Sequence, residues 1–188
     1  MATRDELRSV LLTPEEAART DAPGRRNAAV LVPLFASEGD LHAVFTKRRD
    51  DLSDHPGEIS FPGGRQESPD EDLRVTALRE AEEEIGLPRE AVDVVGALPL
   101  TPTFVSDYRI HPFVGVIEPG HAWALQPTEV DEVLELSISD LIAGYEHKRV
   151  HAIPFRTATY TVRGSLVWGA TARIVASLLE RVAPLLAR

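Results

Sequence analysis

Short apolar runs separated by turn residues alternate with two longer segments of helical period. Ala28 to Phe35 (AAVLVPLF) is almost continuously apolar, the pattern of a strand buried on both faces. Ser37 to Asp40 reads as a turn, and Leu41 to Thr46 as a returning strand, so a hairpin is expected. Val92 to Leu98 and Ile110 to Ile117 are further strands, with a Pro-, Thr- and Ser-containing loop, Pro99 to Tyr108, between them that is long enough to shape a pocket. Val133 to Leu136 predicts a short strand, Ser139 to Gly144 a short helix, and Val150 to Phe155 with Ala158 to Val162 a second hairpin. Helical periodicity marks one or two short helices within Asp5 to Ala18 and an amphipathic helix from Ser165 to about Leu186. A central helix begins around Asp70 or Glu71 and ends at Gly86 and Pro88. Strands before and after that helix imply a mixed sheet between helical layers.

The stretch from Phe61 to Leu87 organises this pattern. It opens on Pro62-Gly63-Gly64, where glycine permits backbone approaches that a side chain would block. In the helix that follows, Val75, Leu78, Ala81 and Ile85 fall broadly opposite Glu80, Glu83 and Glu84, so the apolar side is expected to dock on the sheet with the acids outward. Like charges three and four residues apart repel by a few tenths of a kcal/mol per pair. The plain reading is the wet side of an amphipathic helix. The functional reading is a cation site: the glycine turn lies directly upstream to offer a carbonyl, and Arg79 is adjacent to hold a carboxylate by a forked hydrogen bond. Oxygen-only ligands of this kind suit Mg2+ or Mn2+.

Composition narrows the partners. The 188 residues fit one domain, residues 1–188, in which residues 1–25 form an N-terminal helical extension and residues 61–87 the glycine turn and acidic helix. There is no cysteine, hence no disulfide or thiolate zinc site, which is consistent with a reducing, cytoplasmic setting. No apolar run approaches membrane-spanning length, so no membrane partner is expected. A net charge of −10 argues against a broad nucleic-acid surface, and a phosphorylated small molecule would need metal ions to offset the repulsion. Lys47, Arg48 and Arg49 form the densest basic cluster. Whether the chain pairs as a homodimer is left open.

Gly64, Glu71, Arg79-Glu80, Ala81, Glu83-Glu84, Gly86 and Leu87 resemble the signature of the Nudix hydrolases, GX5EX7REUXEEXGU. Six residues, Arg65 to Asp70, separate Gly64 from Glu71, one more than the general pattern. That longer spacing is associated with the coenzyme A pyrophosphatase branch. Val44-Phe45-Thr46-Lys47-Arg48, Gly57 and Phe61-Pro62-Gly63-Gly64 resemble the upstream motif of the same branch, with Arg49 and Ser53 departing from it. Val167 to Ala172, including Trp168, is similar to it as well.

The resemblance implies an α/β/α sandwich with a mixed sheet and hydrolysis of a nucleoside diphosphate linked to another group. It implies Glu80, Glu83 and Glu84 as metal ligands, joined by the Gly64 carbonyl, with Mg2+ or Mn2+ as cofactor. Glu71 is expected to reach a metal through water or to restrain Arg79, itself a support for the site. Glu129 matches a recurrent Glu-Val of the branch and is a candidate base or further ligand, with Glu132 the alternative. Lys47 and Arg48 are candidates for the substrate phosphates. The implied substrate is coenzyme A or a derivative. The alternatives are ADP-ribose, NADH or another nucleotide as substrate, or a non-catalytic nucleotide-sensing module.

Overall fold

The structure, a computed structural model, describes residues 3–68, 72–103, 106–150 and 156–186. Two short helices come first, α1 (Arg4–Val10) and α2 (Pro14–Ala18). Each opens on a reciprocal capping box, Thr3 with Glu6 and Thr13 with Glu16, which satisfies backbone N–H groups that have no partner inside a first turn. The strand β1 (Arg26–Ser37) then turns through Glu38 and Gly39 into β2 (Asp40–Arg48). Both turn residues have positive φ, 51° and 83°, as a two-residue hairpin requires. Two short strands, β3 (Ile59–Ser60) and β4 (Gly63–Arg65), lead to α3 (Leu73–Ile85). After a 3-10 turn (Arg89–Ala91) follow β5 (Asp93–Ala97), β6 (Thr101–Pro102), β7 (Tyr108–Val116) and β8 (Val130–Ser137). The chain closes with α4 (Ile138–Ala143), β9 (Tyr145–Arg149), β10 (Arg156–Val162), β11 (Ser165–Val167) and α5 (Gly169–Leu186).

Among the described residues, strands β1 to β8 form one mixed sheet: β3-β2-β1-β7-β5 in order, with β4 on β1, β6 on β7 and β8 on β2. The β1–β7 pair is parallel and central; its neighbours are antiparallel. Side chains alternate along β1 and divide the core in two. Ala29, Leu31 and Phe35 face α3 and pack with Ala77, Ala81 and Ile85. Val32 and Leu34 face the other way and pack with Leu7 of α1 and with Ile174, Leu178 and Val182 of α5. A mixed sheet between helical layers is therefore the architecture, an α/β/α sandwich. The three remaining strands make a small antiparallel sheet, β11-β10-β9.

Three boundaries differ from the sequence reading. The central helix starts at Leu73, later than Asp70 or Glu71, because the Asp72 side chain accepts from Arg74 N and caps it. The last helix starts at Gly169: Ser165–Val167 instead pairs with Tyr160–Val162 across a tight turn in which Arg163 and Gly164 have φ of 50° and 82°. The strand opposite β10 is Tyr145–Arg149, whose polar sequence hid it; of the expected Val150 to Phe155 strand, residues 151–155 lie outside the described residues.

Candidate active site

The acidic helix is rotated from the wheel expected of it. Val75 is 38% exposed, while Thr76, Ala77, Ala81 and Ile85 are fully buried, so the small residues, not Val75, define the docking face. The closeness this permits brings Glu84 into the interior at 8% exposure, correcting the expectation that all three acids point outward. Gly86 closes the helix in the left-handed conformation, φ 68°, with Gly86 N donating to Glu82 O.

The glycine strand β4 lies against this helix. Gly63 N donates to Glu84 Oε2 at 3.2 Å. A Cβ placed on Gly64 would come within 2.4 Å of the Glu80 carboxyl carbon, so only glycine lets this carboxylate press on the strand. Arg79 is largely buried and spans the cluster: its guanidinium lies 3.0 Å from Glu80 Oε1, 3.0 Å from Glu83 Oε2 and 3.6 Å from Glu67, and Nη2 donates to the Arg65 carbonyl at 3.5 Å. One arginine thus orients two of the three acids expected from the sequence, a fuller supporting role than the single carboxylate foreseen. Glu71, expected beside it, lies outside the described residues.

Burial raises the pKa of Glu80, the Arg79 charge opposing it and Glu83 and Glu129 adding to it. Burial pushes Glu84 up to about 8, against the Gly63 N–H bond and the Arg48 charge, with Glu80 and Glu129 pushing it further. Two acids withdrawn from water and facing further negative charge are a donor set that a divalent cation would relieve. Glu83 is drawn toward Arg79, and among the described residues no three acidic or histidine side chains are already gathered around one point. The residues fit a metal by chemistry and by neighbourhood, with Glu83 held to one side.

Arg48 reaches this site through a bulge. Lys47 pairs with Glu132, but Arg48 pairs with Val130, so Asp131 is skipped and the β2 strand is re-aimed at the point where the two basic residues part. Lys47 Nζ lies 3.7 Å from Asp131, while Arg48 acts on Glu84. Glu129 sits on a loop tied down from two sides. Ala124 N and Gln126 N donate to the Ile85 and Glu84 carbonyls at the end of α3, and Arg49 supplies the rest: its N donates to Glu129 O and its Nη1 to Pro127 O at 2.8 Å. Asp51 holds the Arg49 side chain by a forked pair, 2.6 Å and 2.8 Å. Glu132, the alternative acid, lines a groove with Phe35, Trp123 and Glu135.

Sequence reasoning saw Arg49 as a member of the basic cluster and a departure from a motif, and missed its role under the Glu129 loop; Asp51, two residues on, was the available signal. It also missed the Gly63 N–H, for which no side-chain signal exists. Trp168 is half-buried at the start of α5.

A model of the NUDIX domain matches residues 24–156. The chain belongs to the Nudix family. An uncharacterized Nudix hydrolase NudL of Enterobacter sp. (strain 638) is 35% identical over 169 residues, covering 86% of this chain and 85% of that protein. Nudix hydrolase 22, chloroplastic, of Arabidopsis thaliana is 38% identical over 167 residues, 80% of this chain and 53% of that longer protein. The Nudix fold is shared with the NUDIX domain of Shewanella oneidensis NrtR, solved with ADP ribose, at a TM-score of 0.55, 16% identity, and coverage of 92% of this chain and 97% of that one. A MutT/nudix family protein from Enterococcus faecalis gives 0.56 at 12% identity, covering 98% of this chain and 76% of that one. As a Nudix hydrolase the chain has the reaction class of hydrolysing phosphoric anhydrides of nucleoside diphosphate derivatives. Helices α1, α2 and α5 lie outside the matched domain, yet α1 and α5 complete one of its two core layers.

Proposed function

We propose that this Nudix hydrolase cleaves the diphosphate of coenzyme A or a derivative into 3′,5′-ADP and 4′-phosphopantetheine, with Mg2+ or Mn2+ as cofactor. The observation that carries the reading is that the glycine turn and the upstream basic motif are both placed at the acids: Gly63 N donates to Glu84 Oε2, and Arg48 at the end of β2 pairs with Val130, next to Glu129. These are segments whose sequence resembles the coenzyme A branch. Glu80, Glu83 and Glu84 would hold the metal, with the Gly64 carbonyl as a further ligand. When bound, the ion offsets the charge of the diphosphate and favours attack by water.

The chain's own residues do the positioning. Arg79 fixes Glu80 and presents Glu83, with Glu71 as a second support. Arg48 and Lys47 at the end of β2 take phosphate oxygens, Arg48 through its planar fork. Glu129, held by Arg49 and by the end of α3, is the base that takes a proton from water or a further ligand. The whole chain, residues 1–188, acts as one domain in this reading. Because the Shewanella domain of the same fold was solved with ADP ribose, ADP-ribose is the second substrate to be compared.

The purified protein is incubated with coenzyme A and Mg2+ or Mn2+ and the products are identified. The expected products are 3′,5′-ADP and 4′-phosphopantetheine. Absence of 3′,5′-ADP with either metal, while ADP-ribose is cleaved, overturns coenzyme A and leaves the reaction class standing.

A further inference from the structure

The strand β4 has two sides. On one, Gly63 and Gly64 meet Glu84 and Glu80. On the other is a cavity of about 200 Å3 with an apolar floor of Ala28, Val30 and Ile110 and walls that include Phe61 and Tyr108. Register fixes what stands at its rim. Arg26 pairs with Tyr108, and Ala28 with both Ile110 and Arg65. Paired residues share a face of the sheet, as do residues two apart, so Arg26, Arg65 and Tyr108 all rise from the face that forms the floor.

The Arg26 guanidinium carbon lies over the Tyr108 ring, 4.5 Å from its centroid, a cation–π contact that leaves its N–H groups available as donors. Both arginines are exposed, and among the described residues neither has a carboxylate partner. The neighbouring Arg25, by contrast, is paired with Asp107 at 3.6 Å. In a chain of net charge −10, two unneutralised arginines beside an apolar, aromatic-walled recess form a site for a flat ring that carries an anion.

We infer that this cavity receives the nucleoside half of the substrate, and that Arg26 and Arg65 select a nucleoside bearing a further phosphate on its ribose. The inference rests on the hydrolase reading above and names the substrate class of that site. The alternative occupant, the pantetheine arm, is uncharged: its amide carbonyls accept neutral hydrogen bonds, but it offers two arginines no anion to pair with. Gly63 and Gly64 border both the cavity and the carboxylates, and with no side chains there one molecule could set its diphosphate at the carboxylates and its base in the cavity.

Calorimetric titration of 3′,5′-ADP and of 5′-AMP into the wild-type protein tests the inference without turnover. The extra phosphate is expected to tighten binding by about tenfold or more, the effect of charge-assisted hydrogen bonds. In the double variant Arg26→Gln, Arg65→Gln the ratio is expected to fall to within about twofold, and Arg26→Lys with Arg65→Lys to restore part of it. The kcat/KM ratio of coenzyme A to 3′-dephospho-coenzyme A should fall in parallel. Equal wild-type affinities, or a ratio that the Gln variant does not move, overturn the inference. So does an equal loss for both ligands in the Gln variant. If coenzyme A is not cleaved at all while ADP-ribose is, the substrate proposal fails, and the titrations still decide the role of the arginines.

Discussion

Helices α3 and α5 cover opposite faces of the same sheet, and what each buries differs in kind. Helix α5 buries Ala172, Ile174, Val175, Leu178 and Val182, an apolar stripe at helical spacing. Helix α3 buries Ala77, Ala81 and Ile85, but also Thr76, whose hydroxyl has no hydrogen-bond partner among the described residues, and the carboxyl of Glu84. Packing accounts for that stripe, with Arg173 and Arg181 tying α5 to the Pro102 and Val10 carbonyls. It does not account for α3, where a buried acid with a pKa near 8 sits beside Glu80, itself pushed up by burial. A buried carboxyl whose ionised form weakens the fold is kept where it serves a site, so the contrast separates a helix that stabilises from one that gives up stability for chemistry.

If that division holds, the largest effect comes from α3 without touching the fold. Glu83→Gln is expected to lower turnover by at least about a thousandfold, roughly 4 kcal/mol of transition-state stabilisation. Glu83 is 56% exposed on its side chain and its amide replacement can still accept from Arg79, so the melting temperature should stay nearly unchanged. Steady-state kinetics alongside thermal unfolding reads both. A variant with wild-type rates would remove the acidic helix from the mechanism.

The converse belongs to α5. Leu178→Ala removes a side chain with no exposure from the core layer shared with α1 and is expected to cost about 2–5 kcal/mol of stability by urea unfolding. Below its melting temperature the variant should keep its kcat, since no α5 residue lies in the carboxylate cluster. A large loss of kcat in the folded variant would show that the two helices are not separable in role.

Much of this contrast was legible in the chain. The stripe of α5 and the continuous run of β1 follow from periodicity, because burial on a known face demands apolar residues at a fixed spacing. The acids of α3, the glycine turn and Arg79 were legible as chemistry, since repelling charges at helical spacing ask for a cation. What stayed hidden depends on contacts between distant segments. The direction of Glu84 depends on Ala77 and Ala81 letting the helix close on the sheet, and on a backbone N–H of Gly63. The parting of Lys47 from Arg48 depends on a bulge opposite Asp131, which no local pattern encodes. Arg49 looked like a lost motif position until its bonds to Asp51 and Pro127 placed it under the Glu129 loop.

The smallest predicted effect is the most direct test of what α3 gives up. In Glu84→Gln the amide can still accept from Gly63 N, while the buried charge is gone. Glu84 titrates near 8 in the folded protein, against an ordinary value of 4.5, so folding favours its protonated form. Its contribution to stability is therefore fully present below about pH 4.5 and is lost as pH rises toward 8. In chelator-treated protein the variant should match wild type near pH 4.5 and exceed it at pH 8, by about 1–3 kcal/mol, the cost of an uncompensated buried group. Adding Mn2+ should reverse the order if Glu84 has the proposed ligand role, because selective binding to the native wild type raises its stability. Denaturant unfolding across that pH range, with and without metal, measures both. If the variant is no more stable than wild type at pH 8 without metal, Glu84 is adequately compensated by Gly63 and Arg48, and α3 gives up nothing that α5 keeps.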